Sequence, residues 1–218
     1  RQRQMCIRDS HTVVNTKGYK RINKMTIMKL NDKGNDVVGK KIELNCDCLA
    51  ISGGWTPMVH LFTQSGGKLK FDNKDNIFVP DKTNLNQLSI GSAKGDFELD
   101  DVLKNSIKDT KKFLQIENSN FDKIDVKCSK EKEKKNIWLL PSDKPLSKTK
   151  PFLDYQNDST AKDIKLALRE GFKSIEHVKR YTTTGMGTDQ GKLANMHALG
   201  IVADTTNTNM GDLGTTTF

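Results

Sequence analysis

Apolar and polar residues alternate through the first fifty positions, and that pattern predicts strands. His11–Val14, Arg21–Leu30 and Lys41–Ile51 each read as a strand, with Lys17-Gly18 and Asn31-Asp-Lys-Gly34 as the turns between them. In the second run Met25, Ile27 and Lys29 share one face, and Thr26, Met28 and Leu30 the other. In the third, Ile42, Leu44, Cys46 and Cys48 alternate with Glu43, Asn45 and Asp47. A meander of half-buried strands is expected, with Cys46 and Cys48 as small buried hydrophobes on one side.

Ser52-Gly53-Gly54-Trp55 breaks the regularity, because paired glycines permit a positive φ or a close backbone approach. Residues 60–90 are mixed and rich in Gly, Asp and Asn. Leu88-Ser-Ile90 reads as a short strand that runs into Gly91-Ser92-Ala93-Lys94-Gly95, and a helix is expected from about Phe97 to Phe113. From 115 to 151 Asn, Ser, Asp, Lys and Pro dominate, which predicts a connector tied down by one short strand, Ile137–Leu140.

The period changes again after 151. Thr160 with Asp163 forms a capping-box pair, Ile164 and Leu168 share a face, and Gly171 stands where a C′ glycine belongs. Ser174 should cap a second helix with Ile175 and Val178 inward, broken at Gly185-Met-Gly187. Asp189 should cap a third, with Leu193, Met196 and Leu199 inward. Residues 204–218 have no pattern, and the chain reads as truncated there.

Composition narrows the function classes. The chain has 218 residues and a net charge of +9, but the excess is almost all Lys, and three of the six Arg lie in the first ten residues. The densest run, Lys130-Glu-Lys-Glu-Lys-Lys135, alternates sign and reads as a solvated face rather than a nucleic-acid surface. No apolar run is long enough for a membrane span. Arg1–Ser10 is charged without an apolar centre, so it reads as an artefactual leader rather than a signal peptide. Four Cys, with Cys46 and Cys48 as C-x-C and Cys6 and Cys128 alone, point to a reduced, cytoplasmic protein. His11, His60, His177 and His197 show no metal-ligand spacing, and no catalytic constellation is visible. The strongest site-like feature is the strand, Gly91–Gly95 turn and helix. Such a turn aims backbone N–H groups and the positive helix end at a phosphate or a ribose. A G-x-G-x-x-G with a downstream acid is absent.

Two stretches carry a resemblance. Cys46-Asp-Cys-Leu-Ala-Ile-Ser-Gly-Gly-Trp-Thr-Pro57 with Val59-His60-Leu61 is one. The other is Asp154-Tyr-Gln-Asn-Asp-Ser-Thr-Ala-Lys-Asp163, continuing through Arg180-Tyr-Thr-Thr-Thr-Gly-Met-Gly-Thr-Asp-Gln-Gly-Lys192. Together they resemble the α subunit of heterotetrameric sarcosine oxidase, over about residues 11–218, as an internal piece.

The resemblance implies an α/β fold, part of a two-dinucleotide-binding-domain, pyridine-nucleotide-disulfide oxidoreductase-like architecture. A small all-α module similar to a ferredoxin-binding [2Fe–2S] domain would follow. Residues 11–50 would end an inner nucleotide-type domain, 51–115 the outer dinucleotide domain, 116–151 a connector and 152–203 the helical module. Residues 204–218 would lead into an aminomethyltransferase-like folate domain. Dinucleotide contacts are expected at Gly53, Gly54, Gly91, Ser92, Ala93, Gly95, Phe97 and Leu99. The resemblance further implies NAD in this subunit, FAD and FMN in the assembled complex, and β, γ and δ partner subunits. The full complex would demethylate sarcosine to glycine with O2 and pass the one-carbon unit to tetrahydrofolate; the piece alone would be inactive. The four cluster-ligand positions fall on Asp154, Gln156, Asp189 and Ala194; none is Cys, so no Fe–S cluster is expected. The alternatives are a subunit of a related amine or opine oxidase or dehydrogenase, and a non-catalytic scaffold.

Overall fold

The structure is a computed structural model that describes residues 7–116, 126 and 136–215. The alternating run Lys130–Lys135, Cys6, Cys128, most of Arg1–Ser10 and the last three residues lie outside the described residues. The chain divides into two compact units, one of residues 1–52 with 135–208, the other of 53–134 with 209–218.

The first unit opens with the expected meander. Strands β1 (His11–Gly18), β2 (Ile22–Leu30) and β3 (Val37–Asn45) pair antiparallel in the order β1-β2-β3. The simple alternation expected for β2 is not what the fold shows. Thr26, Ile27 and Met28 are buried in succession, so both faces of the central strand are covered there. Bulges re-aim the flanking strands: Val14 is the extra residue in β1, and Gly39, at φ +82°, lies in the irregular stretch of β3. β3 also ends at Asn45, so Cys46 and Cys48 are not on a strand. Cys46 is half-buried and Cys48 exposed, which corrects their reading as buried hydrophobes.

The rest of this unit is a hairpin and three helices. Strands β6 (Phe152–Asp154) and β7 (Ser159–Thr160) precede α3 (Ala161–Arg169), α4 (Ile175–Thr182) and α5 (Asn195–Thr206), the labels following chain order through both units. α3 is closed at both ends as the sequence predicts. Asp163 Oδ2 accepts from the Thr160 backbone N–H at 2.8 Å. After Gly171, the Phe172 N–H reaches the Ala167 carbonyl at 3.1 Å, a Schellman closure. Its buried row is Ala161, Ile164 and Ala167. Ile175 and Val178 of α4 are buried. α5 is buried continuously from Ala198 to Ala203 and forms the centre of the module.

Three expectations fail here. α4 stops at Thr182 because Thr183 turns left-handed, before Gly185 is reached. α5 begins at Asn195 rather than after Asp189, and Leu193 is 65% exposed. The Asp189 carboxylate instead accepts from the N–H groups of Gly191 and Leu193, capping the turn that precedes α5. Finally, Ile137–Leu140 is not a strand.

The second unit holds α1 (His60–Gln64), the hairpin β4 (Lys68–Asp72) and β5 (Ile77–Lys82), α2 (Leu99–Leu114) and α6 (Met210–Leu213). Val59, Phe62, Ile77, Phe78, Val79 and Met210 form its core. Phe71 and Phe78 pack with ring centroids 5.0 Å apart, across the hairpin. Among the described residues every strand pairing is antiparallel, as short connections require.

Candidate functional site: the Gly91–Gly95 turn and the Asp154 hub

The turn expected to face a dinucleotide is present, but no strand leads into it. Leu88 to Ile90 belongs to no strand, and Leu88 and Ile90 are 40% and 42% exposed. Without a sheet partner this short segment has no ladder to join. Gly91–Ala93 then forms a single 3-10 turn. Gly91, buried at φ +60°, accepts from the N–H groups of Lys94 (2.9 Å) and Asp96 (3.2 Å), and the Gly95 N–H reaches the Ser92 carbonyl (3.2 Å). The turn therefore consumes three of its own donors.

Gly95 is the tight position. At φ +108° it lies against β5, where a Cβ would sit 3.0 Å from Val79 and 3.3 Å from Ile77, with Pro57 at 3.8 Å. Pro57 thus carries the loop of Gly53 and Gly54 back to the turn. Gly53 and Gly54 are themselves exposed, and Gly54 (φ +103°) faces open space. Phe97 is half-buried and Leu99, at the first position of α2, is 55% exposed.

Electrostatics at this helix end select against an anion. Glu98 is the N-cap residue without using its side chain, and Asp100 and Asp101 occupy the first turn. Carboxylates there already complement the positive helix end and repel a phosphate. Lys94 is paired with Asp109, further along α2. One group that sequence reasoning missed is Asp96. Its Oδ1 accepts from the Asn105 amide at 3.0 Å, and its Oδ2 is buried without a hydrogen-bond partner among the described residues. Its place directly after Gly95, at the mouth of a helix, was the available signal.

The second candidate region lies in the helical module, around Asp154, Gln156, Asp189 and Ala194, the positions where the resemblance placed cluster ligands. Asp154 is 3% exposed. Its Oδ2 accepts from the Gly185 N–H at 2.7 Å and the Asn157 amide at 3.2 Å; its Oδ1 accepts from the N–H groups of Gln156 and Asn157. Burial by itself would raise its pKa, but these four donors together hold it below the usual carboxylate range. Gln156 Oε1 accepts from the Thr188 N–H and hydroxyl at 2.6 and 2.8 Å. The 154–157 turn is thereby bound to the 183–193 loop. Beneath it Ser159 donates to the Thr182 carbonyl at 2.6 Å, and the Thr182 and Thr184 hydroxyls meet at 2.8 Å. The Ala194 side chain, 1% exposed, contributes only packing, while its carbonyl accepts from the Ala198 N–H at 2.9 Å at the start of α5. Asp154, Gln156 and Asp189 act as oxygen acceptors for backbone and side-chain donors, and none of the four side chains is a thiolate. Among the described residues no group of three His, Cys, Asp or Glu is placed to hold a metal ion.

The family model described as the sarcosine oxidase A3 domain matches residues 148–218. The α subunit of sarcosine oxidase from Corynebacterium sp. (strain P-1) is 33% identical over 194 residues, 83% of this chain. Those of Corynebacterium sp. (strain U-96) and Rhizobium meliloti (strain 1021) are 32% and 33% identical, each over 83% of this chain. The chain belongs to the sarcosine oxidase α-subunit family.

It spans about a fifth of these α subunits, 19%, 19% and 18% of their lengths. Among solved structures it is similar to L-proline dehydrogenase from P. horikoshii. That match has a TM-score of 0.55 at 16% identity and covers 94% of this chain and 41% of that one. The likeness is one of fold and agrees with a mixture of helices and sheets. Among the described residues no helix of this α-subunit piece is long and apolar enough to cross a membrane.

Proposed function

We propose that this chain is the part of a sarcosine oxidase α subunit that supplies one wall of a dinucleotide site and a cluster-free helical module. The buried Oδ2 of Asp96, without a partner among the described residues and beside the two-glycine turn, carries this reading. A ribose or ribityl hydroxyl is a neutral donor that would satisfy that oxygen, and Asn105 fixes the carboxylate's orientation. Gly91, Ser92, Ala93 and Gly95 would let the ligand approach the backbone. Gly53 and Gly54 would approach through the Pro57 loop, and Phe97 and Leu99 would offer apolar contact. Asp100 and Asp101 argue that the pyrophosphate lies elsewhere. NAD is the dinucleotide proposed for this subunit.

In the assembled protein the proposed activity is oxidative demethylation of sarcosine to glycine. FAD and FMN would carry electrons to O2, and tetrahydrofolate would accept the one-carbon unit. Partners would be the β, γ and δ subunits of a cytoplasmic heterotetramer, with the domain boundaries expected above. The oxygen acceptors at Asp154, Gln156 and Asp189 support a module that needs no Fe–S cluster to close.

The test uses the full-length α subunit co-expressed with its partners. Asp96→Asn should lower dinucleotide content at least about tenfold, a loss of about 1.4 kcal/mol, while Asp101→Asn leaves it unchanged or raises it. Full dinucleotide content in Asp96→Ala would refute the site. Oxygen consumption with another secondary amine but none with sarcosine would refute the substrate.

A further inference from the structure

Residues 136–144 lie between the meander and the helices, and their side chains touch both. At one end Trp138 sits against α5. A Cβ at Gly200 would collide with the Trp138 indole, so Gly200 provides the notch that receives the ring. The edge of the same ring system packs against His197, centroids 6.1 Å apart and nearly perpendicular. At the other end the Ser142 hydroxyl donates to the Val14 carbonyl of β1 at 3.4 Å. Asp143 accepts from Lys41 of β3 at 2.7 Å. The Lys41 ammonium holds the Asp143 carboxyl below the usual carboxylate range.

These anchors differ in kind. The Trp138 contact is apolar and shape-dependent, whereas the Asp143 and Ser142 contacts are polar and stand near solvent. A segment without regular secondary structure that is held at two ends is a strap.

We propose that residues 136–144 are a conformational strap, with Trp138 in the Gly200 notch as its releasable end. Through it the β1–β3 meander and the α3–α5 module behave as one cooperative unit. When Trp138 leaves the notch, the meander opens without the helices.

Native-state amide hydrogen exchange on the 218-residue chain tests this, since exchange reports local opening element by element. Trp138→Ala and, separately, Gly200→Val should each speed exchange in β1–β3 by about tenfold or more, with α3 protected as before. Asp143→Asn, which loosens the other end, should act in the same direction more weakly. Leu199→Ala is the control: Leu199 is 3% exposed on α5 and outside the strap, so it should loosen the helices and spare the meander. Two outcomes overturn the proposal. One is Trp138→Ala raising exchange only around α5, which would make it a local cavity. The other is Trp138→Ala and Leu199→Ala giving the same pattern across meander and helices, which would make both general destabilisation.

Discussion

Individual residues here do two kinds of work, holding a charge in a buried place and holding the backbone in a conformation that few side chains accept. Asp154 shows the first. Asp154→Ala leaves the Gly185, Gln156 and Asn157 donors without their acceptor and should cost about 1–3 kcal/mol. Its folded pKa is lowered, so its contribution is fully present above the unfolded value near 3.9 and disappears as pH falls through the lower folded value. Thermal melts of wild type and variant should therefore differ by a constant gap at neutral pH, and the gap should close below about pH 4. A gap that widens on acidification would contradict the assignment. Gly95 shows the second kind. Gly95→Ala must place a methyl 3.0 Å from Val79 at φ +108° and should cost roughly 1–3 kcal/mol in urea unfolding. Exposed Glu43 is a contrast: Lys17 and Lys24 pull its carboxyl down to about 2, yet a pair so open to solvent stabilises little.

Among the elements, α3 was the most legible. Thr160, Asp163 and Gly171 are local signals within one or two turns of the helix they bound, and all three act as expected. Thr160→Ala should lower stability by about 1 kcal/mol, whereas Thr160→Ser should keep most of it. The start of α5 was not legible. Asp189 carries the right side chain for an N-cap, but Gly191 at φ +76° sends the chain through one more turn first. The strand expected at Leu88–Ile90 failed for a related reason: two apolar residues flanking Ser89 name no partner, and a strand exists only when another backbone pairs with it. Ile137–Leu140 failed likewise, since its Trp138 found a glycine notch on a helix instead of a neighbouring strand.

At the scale of the molecule the two units differ in how well they cover their apolar residues. In the second, Trp55, Met58 and Leu61 are 74%, 55% and 82% exposed, and α2 has no buried residue over its sixteen positions. Large apolar side chains exposed in this way bind hydrophobic dyes and lower solubility. The 218-residue chain should bind 8-anilinonaphthalene sulfonate under native conditions. Leu61→Asp should reduce that binding while changing unfolding free energy by less than about 0.5 kcal/mol. Dye binding unaffected by Leu61→Asp would place the apolar surface elsewhere.

The sequence alone determined what depends on neighbours along the chain: the meander's turns, the α3 caps, the inward face of α4 and the position of the Gly91–Gly95 turn. Its two signature stretches, 46–61 and 154–192, also pointed to the sarcosine oxidase α subunit, the family of the similar chains. Tertiary structure alone decided what depends on residues far apart. It put Asp154 under the Gly185 N–H, 31 positions away, and Gly200 under Trp138. It left Cys48 in solvent, and it buried one oxygen of Asp96 without a hydrogen-bond partner among the described residues. Burial and hydrogen bonding are properties of where separate segments meet, and no local period encodes that meeting.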